Sequence, residues 1–330
     1  MRPMVSLRQR WWLVVVLLFA PPAHTAASGA EVMSWVPPYR LEQSRQALQH
    51  RAGAVTADQW LTRIGLQFWM PTEEGGIRYA THEEKVDDAE VAWFRNWARE
   101  HGVKVLLTIY NYDSKKWNWE LARAAFRDHQ DRFVDSLAAE VVRLQLDGVD
   151  LDLEGNGSLD EDRAAFASFV KKLSARLRAR GRLLTIDSFH SPCFNAPHMG
   201  WWEDWAGQVD AIHSMGYGDL YEGSTQTFTP QGSQQVCMNG EYIFRFSWQV
   251  SWARKHGFQP AQLLLGLPGG RYEWGEGGRG RTLPDHLNEA AAQSAGICIW
   301  DVPATLGGTR DSRWGTEEAW TALKRFRAGT

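Results

Sequence analysis

The chain has 330 residues, room for one large domain or two ordinary ones, and a formal charge of -3 from 36 basic and 39 acidic side chains. That balance excludes the electrostatic footprint of a nucleic-acid or anionic-membrane partner. The one compositional excess is tryptophan, with 18 residues; it serves cores, but its flat face also stacks on sugar rings, a weak pointer to carbohydrate.

Residues 1–30 read as a secretory signal. Arg2, Arg8 and Arg10 precede an apolar core from Trp11 to Ala20, Pro21-Pro22 breaks it, and small residues run on to Ala30. The apolar run is short for a bilayer span, so an uncleaved anchor is the alternative. Cleavage near Ala27 or Ala30 would leave residues 31–330 as one secreted or periplasmic domain, free of the membrane. Export permits disulfides. Cys193 and Cys237 sit in polar, loop-like stretches and are expected to pair, whereas Cys298, inside the apolar run from Gly296 to Trp300, is expected to be a buried free thiol. No Cys/His spacing suggests zinc.

Short apolar runs alternate with helical patterns along the rest of the chain. In order, the predicted strands are Val32 to Val36, Ile64 to Trp69, Val103 to Ile109, the stretch from Asp147 to Glu154, Leu183 to Ile186, Val209 to Tyr217, Leu263 to Leu267 and Ile297 to Trp300. Helices are predicted from Asp88 to Glu100, Leu121 to Leu144, Asp160 to Arg180, Tyr242 to Lys255, Pro284 to Ser294 and Thr316 to Arg327, with a short Trp-rich helix at Trp201, Trp202 and Trp205. Eight strands alternating with helices is the count of a single (β/α)8 TIM barrel, with an open eight-stranded sheet as the alternative.

The fourth strand reads Asp147-Gly148-Val149-Asp150-Leu151-Asp152-Leu153-Glu154. Alternation puts Val149, Leu151 and Leu153 on one face and Asp150, Asp152 and Glu154 on the other, with same-face neighbours roughly 6–7 Å apart. Three readings are open. A solvated edge strand is one, although such edges usually mix signs and favour Lys. A hard-cation site is the second. The third is a buried carboxylate relay at the C-terminal end of a barrel strand, where barrel chemistry sits. There, low dielectric and like-charged neighbours would leave at least one carboxyl protonated, with Glu154, the outermost, as proton donor.

The acidic stretch matches Asp-Gly-x-Asp-x-Asp-x-Glu, and the chain thereby resembles glycoside hydrolase family 18, the chitinases and endo-β-N-acetylglucosaminidases. Met215-Gly216-Tyr217 on the sixth strand is similar to the family's Met-x-Tyr, and Trp300 to its eighth-strand tryptophan. The resemblance implies substrate-assisted, retaining hydrolysis, an exception to the two-carboxylate scheme. Glu154 would protonate the glycosidic oxygen, Asp152 would polarise the substrate 2-acetamido group, Asp150 would support Asp152, and Tyr217 would hold the acetamide carbonyl. Trp300 would floor the cleaved sugar and Met215 line the pocket. No cofactor or metal is implied; the partner is a glycan containing N-acetylglucosamine, and the chain is expected to act as a monomer.

Gly218 stands where the family has Asp or Asn, leaving Asp219 one position on as a substitute. The third strand ends in Thr108-Ile109-Tyr110-Asn111 instead of Ser-x-Gly-Gly, which makes Tyr110 and Asn111 candidate substrate contacts. The stretch between the seventh and eighth strands is too short for the α+β insertion that deepens many exo-acting clefts. Asp147 joins the candidate substrate residues, as do Trp35 and Trp69; these two, like Trp274, fall near predicted strand ends, where core and sugar-stacking readings are both open. Trp93, Trp97, Trp248, Trp252 and Trp320 read as helix packing, His190 and His213 as buried histidines or substrate contacts, and Glu73-Glu74-Gly75-Gly76 as a solvated turn. A catalytically silent, lectin-like barrel is the rival function; silent family members typically lack the final Glu, which is present here.

Overall fold

A computed structural model describes residues 29–80, 85–113, 115–190, 195–215, 246–268, 283–306 and 316–329. Eight parallel strands close on themselves: β1 (Val32–Val36), β2 (Arg63–Pro71), β3 (Lys104–Tyr110), β4 (Gly148–Asp152), β5 (Leu183–Phe189), β6 (Ala211–Met215), β7 (Leu263–Pro268) and β8 (Gly296–Trp300). Closure is made by β1, which pairs with β8 through Val32↔Ile297 and with β2 through Met33↔Arg63. Closure excludes the open sheet: every strand has two neighbours, so the inward residues share one enclosed interior.

The helices are α1 (Leu41–Gln49), α2 (Asp88–His101), α3 (Trp119–Arg123), α4 (Gln130–Arg143), α5 (Arg163–Arg178), α6 (Phe246–Lys255), α7 (Leu283–Ala292) and α8 (Thr316–Ala328). The Trp-rich segment is a 3-10 turn, Met199–Trp205. Asp87 caps α2 by accepting from the N–H groups of Ala89 and Glu90, and Gly102 ends it at φ 68. Helix α1 escaped the sequence reading. The helix expected from Leu121 to Leu144 is broken: a π-turn, Ala124–Asp128, and His129 at φ -124, ψ 35 separate α3 from α4. The break seats the tip of the hairpin after β2. Gly75, at φ 76, lies so close to His129 that a Cβ would come within 2.5 Å of the His129 Cβ. Glu73 and Glu74 in that turn are exposed, as expected.

Two apolar layers follow from strand alternation. Val149, Leu151 and Leu153 face outward into the shell shared with the helices, alongside Phe133, Phe166 and Phe169. Inside the barrel, a smaller cluster holds Met33, Trp35, Leu106, Ala211, Leu264 and Cys298. Cys298 is a buried free thiol. Most of the tryptophan excess is packing: Trp60, Trp201, Trp202, Trp205 and Trp320 are fully buried. Gly65, on β2, makes room in the interior layer. A Cβ there would come within 2.5 Å of Thr108 Oγ1 and 2.8 Å of the Trp35 ring.

Between β7 and β8 the chain carries α7 and has no length for an α+β insertion. Among the described residues no helix is long and apolar enough to cross a membrane. Residues 1–28, Cys193, Cys237, Tyr217, Gly218, Asp219 and Trp274 lie outside the described residues.

Candidate active site

Register sets the layers of the site. Asp150 on β4 lies opposite Thr108 on β3 and Thr185 on β5, and Asp152 lies opposite Tyr110. Asp150 is fully buried. Its Oδ2 accepts from Trp35 Nε1 at 2.9 Å and Thr108 Oγ1 at 3.0 Å, and its Oδ1 accepts from Thr185 Oγ1 at 2.5 Å. His213 Nδ1, on β6, sits 3.2 Å from the same Oδ1. Burial pushes the Asp150 carboxyl up, but His213 and these donors outweigh it and hold it below its ordinary range.

One layer higher, Asp152 Oδ2 accepts from Gln67 Nε2 at 2.6 Å, and Asp152 also hydrogen-bonds Glu154. Burial and the Asp150 charge, against the Gln67 bond, push Asp152 up to about 7. Burial, the Asp152 charge and their shared hydrogen bond hold Glu154 well above its ordinary range. These two acids therefore titrate as a pair that holds a proton near neutrality. Asp152 is hydrogen-bonded upward to Glu154, while Asp150 beneath it is already ringed by donors.

Glu154 stands just past the end of β4, half-buried. The Asn111 carboxamide grips its backbone, donating to the Glu154 carbonyl at 2.7 Å and accepting from its N–H at 2.8 Å. Asn111 itself is fully buried. It is therefore a support for Glu154, not the substrate contact expected of it.

Beside the acids lies a cavity of about 620 Å³. Tyr110, Tyr112, Trp117, Trp300 and Tyr39 give it aromatic walls, and Gln67, Gln43 and Arg40 add polar groups. Tyr112 and Trp117 come from a hairpin after β3, Tyr112–Asp113 with Lys116–Trp117, and meet edge to face at 5.4 Å. Burial and the Asp152 charge keep the Tyr110 phenol protonated. Arg40 is tethered to Asp301 at 3.7 Å. The Trp300–Asp301 peptide is cis.

Other expected residues fall elsewhere. Trp35 is wholly buried under Trp300, ring centroids 5.6 Å apart, so it holds Asp150 and does not meet substrate. Trp69 faces outward: the β2–β3 register shifts between Leu66 and Trp69, a bulge that turns the indole toward α4, where its Nε1 donates to Glu140 at 3.2 Å. Asp147 is at the opposite end of β4 from Glu154, and its Oδ2 accepts the Val105 backbone N–H at 2.8 Å. Met215 ends β6, its carbonyl 3.1 Å from His190 Nδ1.

Gln67, Thr108, Thr185 and Asp187 were not singled out from sequence. The available signal was a polar residue at an inward position of an otherwise apolar strand. Donors of Asp150, Asp187 and His213 lie within 4.8 Å of one another, a spacing that would admit a cation. Asp150's oxygens, however, are already filled by N–H and O–H donors, which makes the cluster a hydrogen-bond network.

A (β/α)8 barrel with a proton-holding carboxyl pair at the C-terminal end of β4, beside an aromatic-walled cavity, has the build of a glycosidase. The family model "Glycosyl hydrolases family 18" matches residues 46–325, and the chain belongs to that family. No curated protein sequence matches it. Among solved structures it is similar to catalytic domain 2 of a group II chitinase from Ostrinia furnacalis, a mutant in complex with penta-N-acetylchitooctaose, at 15% identity and TM-score 0.65, covering 91% of this chain and 97% of that one. A class V chitinase from Pseudomonas fluorescens Pf-5 aligns at 16% identity and TM-score 0.64, over 90% and 99%. The Bacillus cereus spore cortex-lytic enzyme SleL aligns at 13% and 0.60, over 90% and 74%.

Proposed function

We propose that this glycosidase cleaves β-linked N-acetylglucosamine glycans with retention, using the substrate's own acetamide as nucleophile. The observation that carries the proposal is the Glu154–Asp152–Gln67 chain, in which a protonated acid rests against a second carboxyl whose partner, Gln67, lines an aromatic cavity. Glu154 gives its proton to the glycosidic oxygen as the bond to C1 breaks. The acetamide carbonyl oxygen bonds to C1 on the opposite face, forming an oxazolinium. Asp152, freed from Glu154, accepts the acetamide N–H and stabilises the developing positive charge. Water then attacks C1 from the face the leaving group vacated, the C1–O bond of the oxazolinium breaks to return the acetamide, and Glu154 recovers a proton from the water. Trp300 floors the reacting sugar, and Tyr110, Tyr112 and Trp117 extend the stacking surface. Tyr217, Met215 and Asp219 are proposed to complete the acetamide pocket.

The chitinase and cortex-lytic relatives support chitin-type oligomers and cell-wall glycan strands as the first substrates to try. The signal-like residues 1–30 support export of the domain 31–330, and export supports a Cys193–Cys237 disulfide.

Glu154→Gln tests the assignment. Loss of turnover by at least about a hundredfold with oligosaccharide binding retained is expected. Undiminished turnover in Glu154→Gln would overturn the role of Glu154. Binding without turnover in the wild-type chain, across chitin oligomers, N-glycans and cell-wall strands, would leave the silent, lectin-like barrel as the correct reading.

A further inference from the structure

Asp187 and His213 take no part in the chemistry above, yet both are buried in the barrel interior at Asp150. They are register partners on β5 and β6. His213 Nδ1 lies 2.7 Å from Asp187 Oδ1 and 3.2 Å from Asp150 Oδ1. The Trp35 ring meets His213 edge-on at 5.4 Å while its own N–H goes to Asp150. With Thr108 and Thr185, four donors converge on Asp150, two on each oxygen. A carboxylate offers about four lone-pair sites, so Asp150 has no vacant position for a proton and no freedom to rotate.

The imidazole can supply its share of this only in one form. Its Nε2 is buried and has no hydrogen-bond partner among the described residues. A bare lone pair there is the least costly occupant, since an N–H or a charge would be desolvated without compensation. Burial, against the pull of Asp150, also disfavours the imidazolium. The neutral Nδ1–H tautomer follows, with its one proton between Asp187 and Asp150. Burial and the charges of Asp150, Asp152 and Glu154 push Asp187 well up, so it keeps its own proton and presents a carbonyl-like oxygen to His213.

We infer that His213 and Asp187 are positioning residues that fix Asp150 as an anion beneath Asp152, so that the proton shared by Asp152 and Glu154 stays with that pair. Without His213, Asp187 and Asp150 would be two acids facing each other with a proton to share. Asp150 would then be neutral part of the time, and its charge would no longer favour protonation above it. The ionisable groups acting on His213 are Asp150 on β4, Asp187 on β5, and, more remotely, Arg63 and Glu31 near the base, whose effects oppose one another. Asp152 and Glu154 bear on it through Asp150 and Asp187. From β7 its register partner is the apolar Leu264, whose carbonyl takes the Cys298 thiol of β8.

This inference rests on Glu154 being the acid, and its test separates the two. The pH dependence of kcat and KM is measured on a fluorogenic chito-oligosaccharide for wild type, His213→Leu, His213→Asn and Glu154→Gln. His213→Leu is expected to move the alkaline limb of kcat down by about one pH unit, with KM within about twofold. His213→Asn, whose amide N–H falls near the position of Nδ1, is expected to restore the limb. An unmoved limb in His213→Leu, equal shifts in the two variants, or a rise in KM in place of the shift would overturn the inference. Active Glu154→Gln would instead overturn the catalytic assignment. Should His213→Leu fail to fold, nitrogen NMR of the wild-type imidazole decides: a neutral Nδ1–H ring from about pH 5 to 8 is expected, and an imidazolium or Nε2–H ring refutes the arrangement.

Discussion

The Asn111 carboxamide closes on the Glu154 backbone from both sides, donating at 2.7 Å and accepting at 2.8 Å. Because Glu154 stands past the end of β4, no ladder hydrogen bond of that strand holds it; this side chain does. Asn111→Ala leaves a buried N–H and C=O unmet, at about 1–3 kcal/mol each. Steady-state kinetics should show kcat falling by about ten- to a hundredfold with KM little changed. A change confined to KM would place Asn111 on the substrate instead.

The carboxyl pair makes stability and pH move in opposite directions. Asp152 is raised from 3.8 to about 7. The folded state therefore holds a proton that the unfolded chain releases, and this contribution is full below about pH 4 and lost as pH rises through about 7. Asp152→Asn cannot ionise and still accepts from Gln67. Compared with wild type, its stability should gain on going from about pH 5 to about pH 8, by roughly 1–4 kcal/mol. Thermal melts at the two pH values check this, and parallel melting of both proteins would refute the raised pair.

Gly65→Ala links packing to catalysis. Its Cβ would strike Thr108 Oγ1, the Met33 side chain and the Trp35 ring, and two of these three residues hold Asp150. Overpacking typically costs about 1–3 kcal/mol. A lowered denaturation midpoint is expected together with at least about a tenfold loss of kcat. Full activity in a destabilised variant would show that Asp150 tolerates a shifted donor set.

Two substitutions near the acidic strand should leave the kinetics untouched. Asp147→Ala removes the acceptor for Val105 N–H at the base of the barrel, and Trp69→Phe removes the indole bond to Glu140 on the outer face. Each should lower stability by about 0.5–2 kcal/mol in urea titrations while kcat and KM stay near wild type. A kinetic effect from either would mean that the site extends beyond the upper barrel.

Much of the molecule was legible because its signals are local. The alternation in Val149, Leu151 and Leu153 against Asp150 and Asp152 assigns faces within one strand. Eight such apolar runs separated by helical patterns indicate a barrel. The Leu121 to Leu144 helix was overextended for a complementary reason: its periodicity carries across the break at His129, which exists to receive Gly75 from a distant hairpin. Trp69 was left between core and sugar stacking, and a bulge decides for the core: one extra residue before it reverses the alternation and turns the indole outward.

By itself the sequence determined the strand order, the acidic face of β4 and the resemblance carried by Asp150, Asp152 and Glu154, since each depends on spacing along one stretch of chain. Tertiary structure decided who supports whom: Gln67 under Asp152, Asn111 behind Glu154, and Thr108, Thr185, Trp35 and His213 around Asp150. Those partners come from five other strands and the loop after β3. Their meeting depends on register and on barrel closure, which no single stretch encodes. That is why a strand of like charges becomes an ordered series, with an anion at the bottom and a shared proton at the top.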